Sequence, residues 1–153
     1  MRAITGAAVA IHAADVAWLR AGRVAPGGRH ARFGAVLDAL PIMGWTPVKP
    51  DLELADGDLL DGVLRVVHVP GHTAGHIALL HEPSRTVLVG DALFHRSGLT
   101  LGPAALAEDP AGRPAGLRAL PPDVAAVGFA HGAPLSGTAT EIYQQFLHAR
   151  SAT

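Results

Sequence analysis

The chain has 153 residues, 49% of them hydrophobic and 16% charged, with a formal net charge of -1. That length supports one cored domain, residues 1–153, rather than two. The near-neutral balance and the lack of any basic run exclude an electrostatic surface for nucleic acid or an anionic membrane, and favour a small-molecule substrate.

Cysteine is absent. A disulfide framework, a thiolate zinc site and a cysteine nucleophile are therefore excluded, and any metal has to be held by His and carboxylate. No apolar stretch reaches the roughly 18 residues of a membrane span. The apolar run after Arg2 loosely imitates a signal peptide but leads straight into an acidic, periodic segment, so the expected location is cytoplasmic.

In chain order, Ala7 to Ile11 suits a short strand, and Ala13 to Leu19 has helical spacing with Val16, Trp18 and Leu19 near one face. Gly22 to Arg32 reads as a loop, and Phe33 to Leu40 as a short helix stopped by Pro41. Pro47 to Gly62 combines alternating Asp51-Leu52-Glu53-Leu54 with an Asp56-Gly57 turn and predicts a small hairpin. Three β-rich runs follow, from Leu64, from His76 and from Thr86, joined by short turns as antiparallel strands are.

A Gly/Pro-rich loop to Pro110 leads to a predicted helix over Pro114 to Leu120 and a last strand over Val124 to Ala130. Thr138 and Glu141 form a capping-box pattern, opening a helix on which Ile142, Phe146 and Ala149 share a face. The whole is mixed α/β, with strands in the middle and helices at both flanks.

Nine histidines are present, and their placement relative to glycine matters more than their number. Gly71-His72, Gly90-Asp91 and His131-Gly132 each follow a predicted strand. There the backbone can turn sharply and project a side chain into a crevice. Two imidazoles and a carboxylate converging in this way suit zinc or iron(II). His68, His72 and His76 recur every four residues, but Pro70-Gly71 and Gly75 argue against a helix that would align them. His95 lies close enough in sequence to serve as a substitute ligand or proton donor, although it reads first as an exposed loop residue. His30, His81 and His148 read as surface residues. Ser84, Ser97 and Ser136 lack a nucleophile-elbow context.

The segment Val67-His-Val-Pro-Gly-His-Thr-Ala-Gly-His-Ile-Ala-Leu-Leu, followed by Val87-Leu-Val-Gly-Asp-Ala-Leu-Phe and by Ala130-His131-Gly132, closely resembles the metallo-β-lactamase-fold superfamily. The resemblance runs over nearly the whole chain. It implies an αββα sandwich, here incomplete, with N-terminal strands missing. It also implies that His72 is a ligand of one metal, Asp91 the carboxylate bridging two, and His131 a ligand of the second, while His76 supports the loop. In such proteins the metals activate water and polarise a carbonyl or phosphoryl oxygen, giving hydrolysis of esters, thioesters, amides, lactones or phosphodiesters.

One departure is large. The family's first motif, His-x-His-x-Asp-His, occurs nowhere in this sequence. His12 offers one imidazole at a strand end and no His-x-His pair. What remains is a reduced site, His72, Asp91 and His131, that could hold one zinc ion with open positions for water, with iron or manganese as other candidates and a metal-free chain as the remaining outcome. Two functions are therefore expected: a metal-dependent hydrolase, mononuclear or completed by another chain, or a truncated, non-catalytic homologue acting as a binding or assembly module. Loss of N-terminal strands also predicts exposed apolar sheet surface, covered in a homodimer or by a partner chain that supplies the missing sheet.

Overall fold

The computed structural model describes residues 5–23 and 44–151. The predicted helix over Phe33 to Leu40, most of the predicted loop before it, and His30 lie outside these residues. Strand β1 (Ala10–His12) leads through one 3₁₀ turn (Ala13–Asp15) into helix α1 (Val16–Ala21), which Gly22 closes in a left-handed conformation with φ 70°. Strand β2 (Leu52–Leu54) pairs with β1 in parallel, so the hairpin expected over Pro47 to Gly62 does not form. The amides of Asp51 and Leu52 both donate to Val9 O, which commits this segment to β1, while Asp58 caps Ala55 N–H and turns the chain away. The Asp56-Gly57 turn is present but joins β2 to a strand of another sheet.

That other sheet has six strands: β3 (Leu59–Leu60), β4 (Leu64–His68), β5 (Ile77–His81), β6 (Thr86–Leu88), β9 (Ala126–Gly128) and β10 (Leu135–Ser136). Their spatial order is β10-β9-β6-β5-β4-β3. The three central runs pair antiparallel, and β9 joins β6 in parallel, returning through helix α2 (Arg113–Gly116) and a 3₁₀ turn (Leu117–Ala119). A separate hairpin consists of β7 (Phe94–His95) and β8 (Leu99–Thr100).

Side chains alternate across the sheet. Val67, Ala78, Leu80, Val87 and Val127 share one face and belong to the main core cluster. Helix α3 (Thr140–Ser151) adds Tyr143 and Leu147 to the same cluster. The helix therefore buries Tyr143 and Leu147 rather than the expected Ile142 face, and Ile142 is exposed. The predicted capping box is replaced by a 3₁₀ turn (Gly137–Ala139) before α3, braced by the Thr140 hydroxyl donating to Gly137 O at 2.7 Å. The Tyr143 hydroxyl donates to Pro121 O, tying α3 to the chain before β9.

The opposite sheet face presents Leu64, Val66, Ile77, Leu79 and Leu88, and burial falls along one row of register partners: Val66 is buried, Leu79 half-buried and Leu88 exposed. Among the described residues no helix is long and apolar enough to cross a membrane.

Candidate metal and substrate site

The three sequence-predicted residues meet at one end of the six-stranded sheet. His72 lies in the loop between β4 and β5, Asp91 in the 3₁₀ turn Gly90–Ala92 after β6, and His131 in the turn after β9. His72 Nε2 is 3.6 Å from Asp91 Oδ2, and His131 Nε2 is 3.3 Å from Asp91 Oδ1, so the carboxylate sits between two imidazoles. All three line one cavity of about 570 Å³, together with Phe94, Arg96 and Leu106 among others.

Each member is held by neighbours far away in sequence. Asp91 is set by its backbone: its amide donates to His76 Nε2 at 3.1 Å, and its carbonyl accepts from the buried guanidinium of Arg113 at 3.0 Å. Burial, with the His72 ring beside it, pushes His76 down to about 4. A neutral ring accepting at Nε2 is therefore its state near pH 7, which is the loop-supporting role expected of it. Burial also lowers Arg113 from its ordinary value, opposed by nearby Asp91.

The His72 loop is clamped from two sides. Asp15, at the start of α1, accepts from the Thr73 hydroxyl at 2.5 Å and from Gly75 N–H at 2.8 Å. On the other side Glu108 accepts from Ala74 N–H at 2.7 Å, while Glu108 N–H donates to His72 O and Asp109 N–H to Gly71 O. His131 is steadied by ring stacking on Phe94, with centroids 4.7 Å apart and planes 11° apart. Sequence reasoning missed Asp15, Glu108 and Arg113. No local motif reveals them, because the groups they hold lie far away in the sequence.

His95 belongs to β7 instead of a free loop. Its ring Nδ1 is 2.7 Å from Ala133 O, and its amide donates to His131 O at 2.9 Å. It anchors the turn carrying His131 and does not line the cavity. His12 is also placed away from the cavity, stacked on His68 with centroids 4.2 Å apart. Burial and the adjacent His68 lower its pKa.

The donor chemistry at the cavity, two imidazole nitrogens and a carboxylate, suits a borderline divalent ion. Asp91 Oδ1 is buried and accepts no hydrogen bond, which is the condition of an oxygen kept for a cation. The arrangement is not a closed cage. Among the described residues no group of three or more His, Cys, Asp or Glu side chains is already gathered to hold an ion; the two imidazoles lie against opposite oxygens of Asp91, and all three would have to close around an ion as it binds.

Comparison with known proteins agrees with this architecture. A hydroxyacylglutathione hydrolase of Cereibacter sphaeroides is 40% identical over 88 residues, covering 54% of this chain and 31% of that protein. A hydroxyacylglutathione hydrolase of Pseudomonas aeruginosa is 51% identical over 49 residues, 29% of this chain and 19% of the relative. The chain thus spans less than a third of the length of these curated relatives. Among solved structures, a metallo-beta-lactamase family protein from Thermus thermophilus superposes with TM-score 0.59 at 23% identity, covering 95% of this chain and 53% of its own. TTHA1623, solved in a di-iron-bound form, superposes with TM-score 0.58 at 28% identity, covering 95% and 65%. The model of the metallo-beta-lactamase superfamily matches residues 1–145, and the chain belongs to that superfamily.

Proposed function

We propose that this single domain, residues 1–153, is a metal-dependent hydrolase of small acyl compounds, with His72, Asp91 and His131 holding one ion and thioesters as the favoured substrates. The observation that carries the reading is the Asp91 carboxylate set between two imidazoles on the wall of an open cavity. The thioester preference is supported by relatives named hydroxyacylglutathione hydrolase. Zinc is the first candidate. Iron is supported by the di-iron form of one structural neighbour, and manganese stays open.

When bound, such an ion supplies Lewis acidity and activates water near neutral pH. The chain's own residues do the rest. The backbone bonds from His76 and Arg113 orient the Asp91 turn, the Asp15 and Glu108 clamps fix the loop carrying His72, and Phe94 aligns His131. Phe94, Pro103 and Leu106 give the cavity apolar wall on which an acyl chain can lie out of water.

Zinc titration with elemental analysis of the wild type and Asp91→Ala, alongside thioester hydrolysis with and without chelator, tests the proposal. One ion per wild-type chain is expected, lost in Asp91→Ala, with hydrolysis removed by chelator and restored by zinc. A wild type that takes up no metal, or an Asp91→Ala variant that binds like the wild type, overturns it. The absence of His-x-His-x-Asp-His from the sequence favours a second reading, a non-catalytic homologue that binds without turnover. Metal uptake with no hydrolysis of any thioester, ester or lactone supports that reading.

A further inference from the structure

We infer that His12 is an acid-sensitive positioning residue for the loop that carries His72: its neutral ring braces that loop along two routes, and charging the ring releases it. The inference names a regulation of the metal site proposed above and rests on that reading for its effect on metal uptake.

On the first route the His12 ring, at the end of β1, stacks on the His68 ring of β4, with centroids 4.2 Å apart and planes 11° apart. His68 Nε2 lies 2.8 Å from Ala74 O, and the ring donates there because a carbonyl only accepts. On the second route His12 Nδ1 accepts from Ala14 N–H at 3.2 Å and caps the 3₁₀ turn that ends in Asp15. Asp15 in turn accepts from the Thr73 hydroxyl and the Gly75 amide. Both routes end on residues 73–75, directly after His72.

Protonation strikes both at once. An imidazolium has no lone pair at Nδ1, so the Ala14 amide loses its acceptor. A charged His12 also lies face to face with His68, and two positive rings at that separation repel. His68 keeps its bond to Ala74 O whether or not it is charged, since that bond uses Nε2–H. His12 is thus the ring at which acid changes the contacts.

The charges around His12 oppose one another. Asp15 in the turn, and Asp56 and Asp58 between β2 and β3, favour the charged ring, while Glu53, beside Ile11 in the small sheet, is paired with Arg20. Burial, and then the adjacent His68, outweigh these carboxylates and hold His12 below its ordinary 6.5. The braced ring therefore takes up a proton less readily than the released one, so acid below pH 6.5 favours release.

The test uses the full metal-free chain as wild type, as His12→Phe, which keeps a ring to stack, and as His12→Asn, which keeps an acceptor for Ala14 N–H. Neither replacement can be charged. Hydrogen-exchange protection of the Gly75 amide, corrected for intrinsic rate, is measured at pH 7.5 and pH 5.5 against the amides of β5. Wild-type protection at Gly75 is expected to fall about 10-fold between these conditions while β5 holds. Both variants start lower at pH 7.5 and show no acid step. In zinc titrations at the same two pH values, the wild type loses affinity more steeply than either variant by a similar factor.

Equal Gly75 protection at both pH values in the wild type overturns the inference, as does an acid step of wild-type size in either variant. An acid step confined to the wild type, with zinc bound by none of the chains, leaves the brace standing and removes the metal reading. Zinc uptake and hydrolysis with Gly75 protection level across pH do the opposite.

Discussion

The amide of Asp91 donates to Nε2 of His76 at 3.1 Å, so one histidine of the Pro-Gly-His loop serves the backbone of the candidate ligand turn and leaves the carboxylate to others. Protonating His76 would remove that acceptor. Its pKa is pushed down to about 4 from 6.5 by burial and by the neighbouring His72. Above pH 6.5 the ring is neutral in both folded and unfolded chain, and its contribution is fully present. As pH falls from 6.5 to 4 only the unfolded chain takes up the proton, so stability drops by about 3 kcal/mol over that window and then levels off for this group. Urea melts of the metal-free protein between pH 7 and pH 4, compared with His76→Gln, measure it. The variant should lose most of the slope, and an unchanged slope would remove His76 as its source.

Asp15 reaches across the molecule to hold the loop that carries His72, accepting from the Thr73 hydroxyl and from the buried Gly75 amide. Asp15→Ala strands that amide and is expected to cost about 3 kcal/mol, whereas Thr73→Ala removes one neutral donor and costs about 1 kcal/mol. Because the loop positions His72, Asp15→Ala should also weaken zinc binding by about 10-fold or more, the scale seen for residues that orient metal ligands. Denaturant midpoints and zinc titrations of both variants give the two readouts. Equal, small losses would show that the clamp is incidental.

The contrast between the candidate ligands and their clamps explains what could be read from sequence. His72, Asp91 and His131 were visible because each follows a β-run beside glycine, a purely local pattern. Asp15 was not, since its partners lie 58 and 60 residues away, and Arg113 reaches back 22 residues to Asp91 O. The same logic governs the fold. The antiparallel strands β4 to β6 follow from alternation and short turns, but the pairing of β2 with distant β1 replaced a hairpin that local pattern favoured. On α3, Ile142/Phe146 and Tyr143/Leu147 are both spaced four apart, so helical periodicity alone could not choose the buried face. Packing against the sheet chose Tyr143 and Leu147.

Gly132 is where the β7 strand and the turn after β9 touch backbone to backbone. Its φ is +122°, and a methyl group there would overlap the carbonyl oxygen of His95. Gly132→Ala is expected to destabilise by about 3 kcal/mol or more, combining an unfavourable backbone conformation with a clash that has no flexible side chain to relieve it. Gly57→Ala makes a control, since its φ is +82° with open space around the added carbon; it should cost about 1 kcal/mol. Thermal melts of the two variants separate conformational strain from the clash. Similar losses in both would mean that the hairpin yields freely at His95.

The last prediction concerns the sheet face turned away from α3. Val66, Leu79 and Leu88 are register neighbours on adjacent strands, and their exposure rises from 1% at Val66 to 47% at Leu88. Leu88 continues a row of apolar side chains on this face, and we propose that a second copy of the chain or a partner chain covers it. Burying such a leucine contributes about 1.5–3 kcal/mol, so if the face associates, Leu88→Glu should weaken self-association at least about 10-fold in sedimentation equilibrium. Its melting temperature at low concentration should match the wild type, because Leu88 adds little to the core of the single chain. A wild type that stays monomeric, with Leu88→Glu indistinguishable from it, would remove self-association as the way this face is covered and leave a different chain as the partner to seek.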